Sequence, residues 1–225
     1  MKKQGMTDYQ PSSKYYDEHV DEISQQYLSV SFENVHAPWS RYLPTLLNKS
    51  NLSVLDVGAG SGRDIAHLYS QAVACLGNEN KLGHFIAIEP SQNLRGVGEQ
   101  QTQHQNVKWI SDSLPSLVKT HSLEISFDLI LLSAVWMHIP ISQRAPALRK
   151  LTNLLRPGGI VVMSLKQGMS EQEQQERAMY DVSVDEIEKL ALELGLVCEV
   201  MPQVTLDALN RDGVYWETLV LKLPE

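Results

Sequence analysis

The sequence is poor in cysteine: its 225 residues include only Cys75 and Cys198, which lie far apart and outside any C-x-x-C pair. Small disulfide-stapled domains and cysteine-based zinc modules need closely spaced cysteines, so both classes are excluded. The seven histidines likewise never form a recognised ligand spacing. We therefore expect no bound metal, and two reduced thiols in a cytoplasmic protein.

Long apolar runs and an excess of positive charge are also missing. No run approaches the length of a membrane span, and no apolar stretch follows the first lysines, so neither a membrane partner nor a signal peptide is expected. Lysine and arginine total 19 against 27 acidic residues, which gives a formal net charge of -8. This balance argues against a nucleic-acid partner. The length fits one α/β domain and leaves the oligomeric state open.

The sequence does contain a glycine-rich segment, residues 54–64, which reads Val-Leu-Asp-Val-Gly-Ala-Gly-Ser-Gly-Arg-Asp. A β-branched apolar run leads into glycines at alternate positions, so the pattern predicts a strand, a tight turn and a helix start. Glycine lets the backbone approach a ligand closely, and free N–H groups at the helix start would face that ligand. Asp56 would lie at the carboxyl end of the strand, where open α/β sheets bind ligands.

This segment fits neither of two common nucleotide-binding motifs. The sixth position counted from Gly58 is Arg63, so the dinucleotide fingerprint G-x-G-x-x-G is absent. No Gly-Lys-Ser/Thr follows, which also excludes a phosphate-binding P-loop. Taken alone, a glycine-rich turn without any ligand remains an alternative.

Apolar runs alternate with helix-like segments along most of the chain, which predicts a parallel sheet buried on both faces. The predicted strands cover 53–57, 85–88, 107–110, 127–132, 160–165, 196–201 and 214–223. A connection poor in helix signals joins the last two strands, so we expect them to be antiparallel. We divide the chain into a flexible N-terminus (1–14), an N-terminal helical lid (15–50) and an α/β core (51–225).

Acidic residues follow two of the predicted strands. Glu89 ends the second strand, where α/β nucleoside binders place an acid for the ribose hydroxyls. Asp112 and Ser113 end the third strand, where an aspartate can accept a hydrogen bond from an adenine amine. Each position has an ordinary alternative, which is a solvated charge for Glu89 and a turn-forming pair for Asp112 and Ser113.

The Asp-x-Gly-x-Gly-x-Gly pattern that begins at Asp56 resembles motif I of the class I S-adenosylmethionine (SAM)-dependent methyltransferases. Residues 127–130 followed by 133–136 resemble motif IV, and residues 154–159 resemble the turn before strand 5 in that family. The resemblance implies a Rossmann-like α/β fold with helices on both faces of a seven-stranded, mostly parallel sheet. Its order would be 3-2-1-4-5-7-6, with strand 7 antiparallel. It also implies SAM as cofactor and S-adenosylhomocysteine (SAH) as product.

The resemblance implies that the cofactor contacts the ends of the first three strands and the segment after the fourth. The expected residues are Asp56, Gly58 and Gly60 at the methionine moiety, Glu89 at the ribose, Asp112 and Ser113 at the adenine, and Ala59, Pro90, Ser133 and Ala134 elsewhere in the same site.

The methyl group must then point toward strands 4 and 5, beneath the N-terminal helices, because the nucleoside occupies the side of strands 1 and 2. We expect His138 to act as general base, since histidine titrates near neutrality. The residues expected to line the acceptor pocket are Tyr16, Arg41, Trp136, His138 and Lys166. Ordinary packing or solvation remains the alternative for the histidine, the aromatic residues and the arginine.

Three functions remain open. The leading hypothesis is methylation of a small molecule by in-line displacement at the sulfonium of SAM. The second is methylation of protein or RNA, against which the acidic charge counts. The third is a SAM-fold protein without methylation activity, such as a polyamine-synthase-like enzyme or a binding scaffold. The motifs favour cofactor binding but do not by themselves establish turnover.

Overall fold

The computed structural model describes residues 11–202, 205–209 and 211–225. The strands are β1 (Val54–Val57), β2 (Phe85–Ile88), β3 (Val107–Ile110), β4 (Phe127–Ser133), β5 (Leu155–Gln167), β6 (Val197–Val200), β7 (Thr205–Leu206) and β8 (Tyr215–Lys222). They form a sheet in the order β3-β2-β1-β4-β5-β8-β6, and β7 pairs with β8 off this path. Strands β1 to β5 run parallel, whereas β8 is antiparallel to its neighbours β5 and β6.

This topology confirms the expected fold and the expected strand order, with β8 in the place of the predicted seventh strand. The two-residue strand β7 was not predicted and raises the number of described strands to eight. A segment of two residues is too short to carry an alternating apolar pattern, so sequence periodicity cannot reveal it.

Helices cover both faces of the sheet. They are α1 (Pro11–Glu18), α2 (Val20–Leu28), α3 (Phe32–His36), α4 (Leu43–Leu47), α5 (Arg63–Leu76), α6 (Gln92–Gln101), α7 (Val118–His121), α8 (Ile141–Thr152), α9 (Glu171–Arg177) and α10 (Val184–Glu193). Val54 belongs to the apolar layer that includes α5, whereas Leu55 belongs to the layer that includes α8 and α10. No helix in the described part of the chain is long and apolar enough to cross a membrane.

The N-terminal region differs from the expected organisation. Residues 1–10 of the predicted flexible segment lie outside the described residues, but residues 11–14 belong to α1 and are helical. Asp17 of α1 explains this order, because its Oδ1 accepts hydrogen bonds from the Ser91 hydroxyl and the Asn93 N–H at the start of α6. A polar stretch that suggests mobility is thus held in place by contacts distant in sequence.

The start of β5 also departs from the prediction. Residues 155–159, expected as a turn, are part of the strand, with a register shift against β4. Buried Asp128 of β4 explains the attachment, since its Oδ2 accepts from the Arg156 guanidinium at 2.7 Å and from the Ser53 N–H at 2.8 Å. Asp128 is therefore a structural residue.

Candidate active site

A cavity opens at the carboxyl ends of β1, β2, β4 and β5, beneath α1 and α2. This is the edge at which open α/β sheets bind ligands. The residues predicted to surround the cofactor all line the cavity: Asp56, Gly58, Ala59, Gly60, Glu89, Pro90, Asp112, Ser113, Ser133 and Ala134. Parallel strands bring these distant segments together because their carboxyl ends share one edge.

The glycine loop after β1 supplies space more than hydrogen-bond donors. Gly58 and Gly60 have φ angles of 67° and 54°, and a Cβ on Gly58 would lie 2.6 Å from Val135 Cγ2. The Gly58 N–H donates to the Ile88 carbonyl, and the Gly60 N–H donates to the Glu89 carboxylate. The end of β2 therefore already accepts both N–H groups, and neither belongs to the helix start where free donors were expected.

Asp56 places a buried carboxylate at the edge of this loop. Its Oδ2 has no hydrogen-bond partner among the described residues, and the whole residue is 1% exposed. The Ile65 N–H donates to the side chain. Burial, and after it the charge of Asp64, raise the pKa of Asp56 well above its usual value. A cationic ligand group beside Oδ2 would satisfy this oxygen and favour the ionised carboxylate.

Glu89 ties the end of β2 to the glycine loop. Its Oε2 accepts from the Gly60 N–H at 2.9 Å, and its Oε1 accepts from the Ser91 N–H at 2.9 Å. Burial raises the pKa of Glu89 to about 7, while these two hydrogen bonds oppose the shift. Each carboxylate oxygen can accept a further hydrogen bond, so two ligand hydroxyls can still be bound.

Asp112 closes the turn after β3. Its Oδ1 accepts from the Ser113 N–H at 2.9 Å, and its Oδ2 accepts from the N–H and hydroxyl of Thr120 at 2.8 and 2.7 Å. Both Asp112 and Ser113 nevertheless line the cavity. The turn-forming interpretation therefore holds for Asp112, and the turn it fixes faces the cavity.

His138 lies on the opposite wall, after β4. Its Nδ1 is 3.1 Å from the Arg177 carbonyl oxygen, and its Nε2 is 3.1 Å from the Tyr16 hydroxyl. A carbonyl oxygen can only accept, so Nδ1 carries the proton and Nε2 of the neutral ring accepts from Tyr16. Burial lowers the pKa of His138 to about 4. The imidazole is therefore neutral near pH 7 and holds Tyr16 and the end of α9 in place.

Two tyrosines of the N-terminal helices roof the cavity. Tyr16 of α1 and Tyr27 of α2 interact through their hydroxyls, and burial raises the pKa of both above the usual value. The Tyr27 ring covers the glycine loop, since a Cβ on Gly60 would lie 3.4 Å from it. Because Tyr16 bonds His138, the pair lies between the glycine loop and the opposite wall.

That opposite wall is rich in positive charge. Lys166 of β5 is 2% exposed, and its Nζ pairs with the Glu173 carboxylate of α9. Burial lowers the pKa of Lys166, and the bond to Glu173 opposes this shift. Arg177 and Arg211 also line the cavity, and Arg211 forms a bidentate pair with Asp207. The cavity thus has an acidic side at the glycine loop and a cationic side at β5.

A family model described as a methyltransferase domain matches residues 31–205, which is most of the chain. The matched span contains the glycine loop and every residue predicted to surround the cofactor. The chain belongs to this methyltransferase family. A comparison with curated protein sequences finds no significant match.

Solved structures with the same fold include other methyltransferases. The magnesium protoporphyrin IX methyltransferase from Synechocystis PCC 6803, with bound SAM, is 13% identical over 98% of this chain and 100% of its own, with a TM-score of 0.62. The N-methyltransferase NodS from Bradyrhizobium japonicum WM9, in complex with SAH, is 14% identical over 96% and 100%, with a TM-score of 0.66. The plantazolicin methyltransferase BamL is 13% identical over 95% and 94%, with a TM-score of 0.65. Family and fold together confirm a SAM-dependent methyltransferase of class I.

Two residues expected in the acceptor pocket of this methyltransferase are not among the described residues that line the cavity. Arg41 lies on the surface and pairs with Glu199 of β6, which holds its guanidinium away from the cavity. Trp136 is fully buried in the core. The 3-10 turn after β4 directs Val135 and His138 to the cavity and Trp136 to the core. The structure therefore does not bring these two residues to the cavity.

Several cavity residues of the methyltransferase were not predicted, and Tyr27, Arg177 and Arg211 are three of them. Tyr27 occupies the apolar stripe of a helix, where an aromatic residue usually indicates core packing. Arg177 ends a stretch rich in glutamine and glutamate that is typical of a solvated surface, and Arg211 lies in the connection before β8. Of these three residues, only Tyr27 could have been identified from the sequence, because its spacing places it on the inner face of a lid helix.

A charged cluster of the methyltransferase supports the start of α5 behind the glycine loop. Asp64 accepts from both Nε and Nη2 of Arg63, at 2.6 and 2.9 Å, and lies 3.0 Å from His36 Nε2. Burial would raise the pKa of Asp64, but His36 and Arg63 hold it well below its usual range. Within the described ranges, no group of three or more His, Cys, Asp or Glu side chains could hold a metal ion.

Proposed function

We propose that this enzyme transfers the methyl group of SAM to a small molecule held between the glycine loop and the wall formed by His138 and Lys166. One observation carries the proposal: buried Asp56 Oδ2 lacks a partner among the described residues, and Asp56 lines a cavity that a cationic ligand group can enter. SAM carries such a group, its methionine ammonium. The porphyrin and plantazolicin methyltransferases of the same fold are named for small-molecule acceptors, which supports that class here.

The residues present fit SAM along the length of the cavity. Each oxygen of Glu89 can accept one further hydrogen bond, so both ribose hydroxyls can bind there. Gly58 has a positive φ that favours glycine, and a glycine leaves the methionine end free of a side chain. The proposed cofactor residues are Asp56, Gly58, Ala59, Gly60, Glu89, Pro90, Asp112, Ser113, Ser133 and Ala134.

SAM supplies a methyl group that is already activated by its sulfonium. The acceptor's lone pair forms the new bond to carbon while the electrons of the S–CH₃ bond return to sulfur, which leaves SAH. The remaining tasks are to align the acceptor and to exclude water. Tyr16 and Tyr27 serve the second task, because they roof the cavity from the lid helices.

We assign Tyr16, His138 and Lys166 to the acceptor side. His138 acts through Tyr16: a proton released by the acceptor passes to the Tyr16 oxygen as the Tyr16 proton moves to His138 Nε2. With a pKa near 4, the His138 imidazole is a weak base. It therefore suits an acceptor whose proton becomes acidic only once the methyl group has been transferred. The role of His138 is therefore mainly to position Tyr16.

Calorimetry with SAM and SAH tests cofactor binding directly. Asp56→Asn should weaken binding about tenfold, the scale of a hydrogen bond to a charged group, whereas the exposed Asp185→Asn on α10 should leave binding unchanged. Failure of the wild-type protein to bind either ligand contradicts the proposal.

Transfer of radiolabelled methyl from SAM then identifies the acceptor class. The protein is incubated separately with a low-molecular-weight cell extract, with RNA and with protein, and we expect label in the first. Label in RNA or protein would replace the small-molecule assignment, and SAM binding without any label would favour the non-methylating alternative.

A further inference from the structure

Three cations concentrate positive charge on one wall of the cavity: Lys166 of β5, Arg177 of α9, and Arg211 before β8. In the described chain they pair with two carboxylates, those of Glu173 and Asp207. Three cations against two carboxylates leave one net positive charge, in a protein whose formal charge is -8. A buried cation without a full partner is unfavourable, so this net positive charge favours the binding of an anionic ligand.

The pair formed by Arg211 and Asp207 is complete. Arg211 donates from Nε at 2.8 Å and from Nη2 at 2.7 Å to the two oxygens of Asp207. The same carboxylate also accepts from Trp216 Nε1 at 3.0 Å and from the Arg211 N–H at 3.0 Å. This pair therefore needs nothing further, and the uncompensated charge lies with Lys166 and Arg177.

Arg177 is held by its backbone more firmly than by its guanidinium. Its carbonyl accepts from His138, whereas its Nη1 lies 3.6 Å from Glu173, beyond good hydrogen-bond distance. Its side chain also forms a hydrogen bond with the Tyr15 side chain, whose ring centre lies 5.1 Å from the guanidinium carbon. None of these described contacts is bidentate, whereas the planar fork of N–H donors matches a carboxylate or phosphate in a bidentate manner.

The position of Arg177 relates it to the acceptor. Tyr27 covers the glycine loop at Gly60, whereas Tyr16 bonds His138, whose ring in turn bonds the Arg177 carbonyl. The tyrosine pair therefore lies between the glycine loop and the segment that carries Arg177. Glu89 belongs to the proposed ribose site. A ligand group at Arg177 would therefore lie across the tyrosines from the cofactor, where the acceptor must be.

We propose that the methyl acceptor carries an anionic group, a carboxylate or a phosphate, which binds the Arg177 fork together with Lys166 Nζ. This rests on the proposed function, since it describes the acceptor of that reaction. Glu173 already pairs with Lys166 and lies 3.6 Å from Arg177 Nη1, so the anion binds on the side of the Arg177 fork that Glu173 leaves open.

Three probes that share a benzene ring test the proposal: benzoate, phenyl phosphate and benzamide. Each is titrated by calorimetry into the full-length protein saturated with SAH. We expect at least one anion to bind about tenfold more tightly than benzamide, the scale of a charge-assisted bidentate pair. Comparison of benzoate with phenyl phosphate distinguishes a carboxylate from a phosphate.

Variants connect this preference to the arginine. Arg177→Gln should abolish the preference for the anion, and Arg177→Lys, which keeps the charge but not the fork, should retain part of it. Arg149→Gln makes the same change of charge on the exposed surface of α8 and should retain the full preference. Equal binding of all three probes, no binding of either anion, or a preference that survives Arg177→Gln overturns the proposal.

SAH affinity in the same variants separates the two proposals. A wild-type protein that fails to bind SAH contradicts the proposed function, and the probes titrated without SAH still decide whether Arg177 binds an anion. If Arg177→Gln loses SAH affinity, the arginine serves the cofactor's carboxylate and the anionic acceptor is overturned. In the labelled metabolite extract, the product should be retained by an anion exchanger at neutral pH; label in the neutral or cationic fraction contradicts the proposal.

Discussion

The two sides of the cavity are built differently. The glycine-loop side consists of strand ends, two glycines with positive φ and two acids whose oxygens accept backbone N–H groups. The β5 side consists of long side chains from separate segments: His138 after β4, Lys166 of β5, Arg177 of α9 and Arg211 before β8. Short-range backbone geometry therefore fixes the shape on one side, whereas side-chain pairing fixes it on the other. Each side should fail in its own way when altered.

The largest effect should come from filling the space at Gly58. In Gly58→Val, the new Cβ would lie 2.6 Å from Val135 Cγ2, at a φ of 67° that β-branched residues rarely adopt. Overpacking and backbone strain each cost about 1–3 kcal/mol, which the loop relieves by moving out of the conformation that binds SAH. SAH affinity should therefore fall about 100-fold or more. Calorimetry measures the affinity, and circular dichroism establishes that the variant is folded.

Gly96→Ala is the matched control for this change. Gly96 lies inside α6, and a Cβ there would meet nothing within 4 Å. Its SAH affinity should equal that of the wild type. A folded Gly58→Val variant that binds SAH within tenfold of the wild type would show that the glycine-loop side tolerates changes of shape.

The next effect should come from Glu89→Ala. This change removes the acceptor for the ribose hydroxyls and also releases the Gly60 N–H. SAH affinity should weaken by about 1.5–3 kcal/mol, the scale of hydrogen bonds to a charged group. Glu193→Ala, an exposed position on α10, removes the same charge without touching the cavity. Unchanged calorimetric affinity in Glu89→Ala would remove this residue from the cofactor site.

The contrast between the two sides also explains which parts of the structure could be predicted from the sequence. The strand order and the glycine-loop side were predictable because each depends on a contiguous pattern: an apolar run, a glycine series, or an acid directly after a strand. Parallel strands then bring those patterns to a single edge. None of these steps requires knowledge of how helices pack on one another.

The β5 side could not be predicted in the same way. Arg41 and Arg177 both follow helical patterns, and only the packing of β6 and α9 places the first on the surface and the second at the cavity. Trp136 and His138 are two residues apart, so the direction of each depends on the 3-10 turn that contains them. Sequence spacing alone does not reveal such a turn.

A smaller effect should distinguish positioning from base catalysis on the β5 side. His138→Ala removes the acceptor of the Tyr16 hydroxyl proton, so turnover should fall about 5- to 10-fold, the value of one hydrogen bond of about 1–1.5 kcal/mol. SAH affinity should remain nearly intact. Tyr16→Phe should lower turnover similarly, and the double variant should be no worse than either single one, because the two residues act as a unit.

Steady-state kinetics with the identified acceptor provides the measurement. Effects that add in the double variant would show that His138 and Tyr16 act independently. A turnover rate unchanged in His138→Ala would remove the histidine from the mechanism and leave an already deprotonated acceptor as the simplest case. A fall in wild-type kcat/KM below pH 5 that is absent in His138→Ala would show that its neutral form is required.

The smallest predicted effect concerns pH and belongs to the glycine-loop side. The pKa of Glu89 is about 7 in the ligand-free protein, above its usual value of 4.5. The folded protein therefore binds this proton more readily than the unfolded chain. The stabilisation it provides is fully present below pH 4.5 and is lost as the pH rises through 7. SAH affinity should change with pH in the opposite direction and rise as the pH rises, because the ribose hydroxyls need the ionised carboxylate.

Between pH 7.5 and pH 6.5, SAH affinity should fall about threefold as the ionised fraction of Glu89 decreases. Over the same interval, the ligand-free wild type should gain stability relative to Glu89→Gln, which cannot titrate at this position. Calorimetry at several pH values gives the first trend, and urea unfolding of both proteins gives the second. The two trends must run in opposite directions if one carboxylate causes both. If SAH affinity were independent of pH in the wild type, or equally dependent on pH in Glu89→Gln, another group would control cofactor binding.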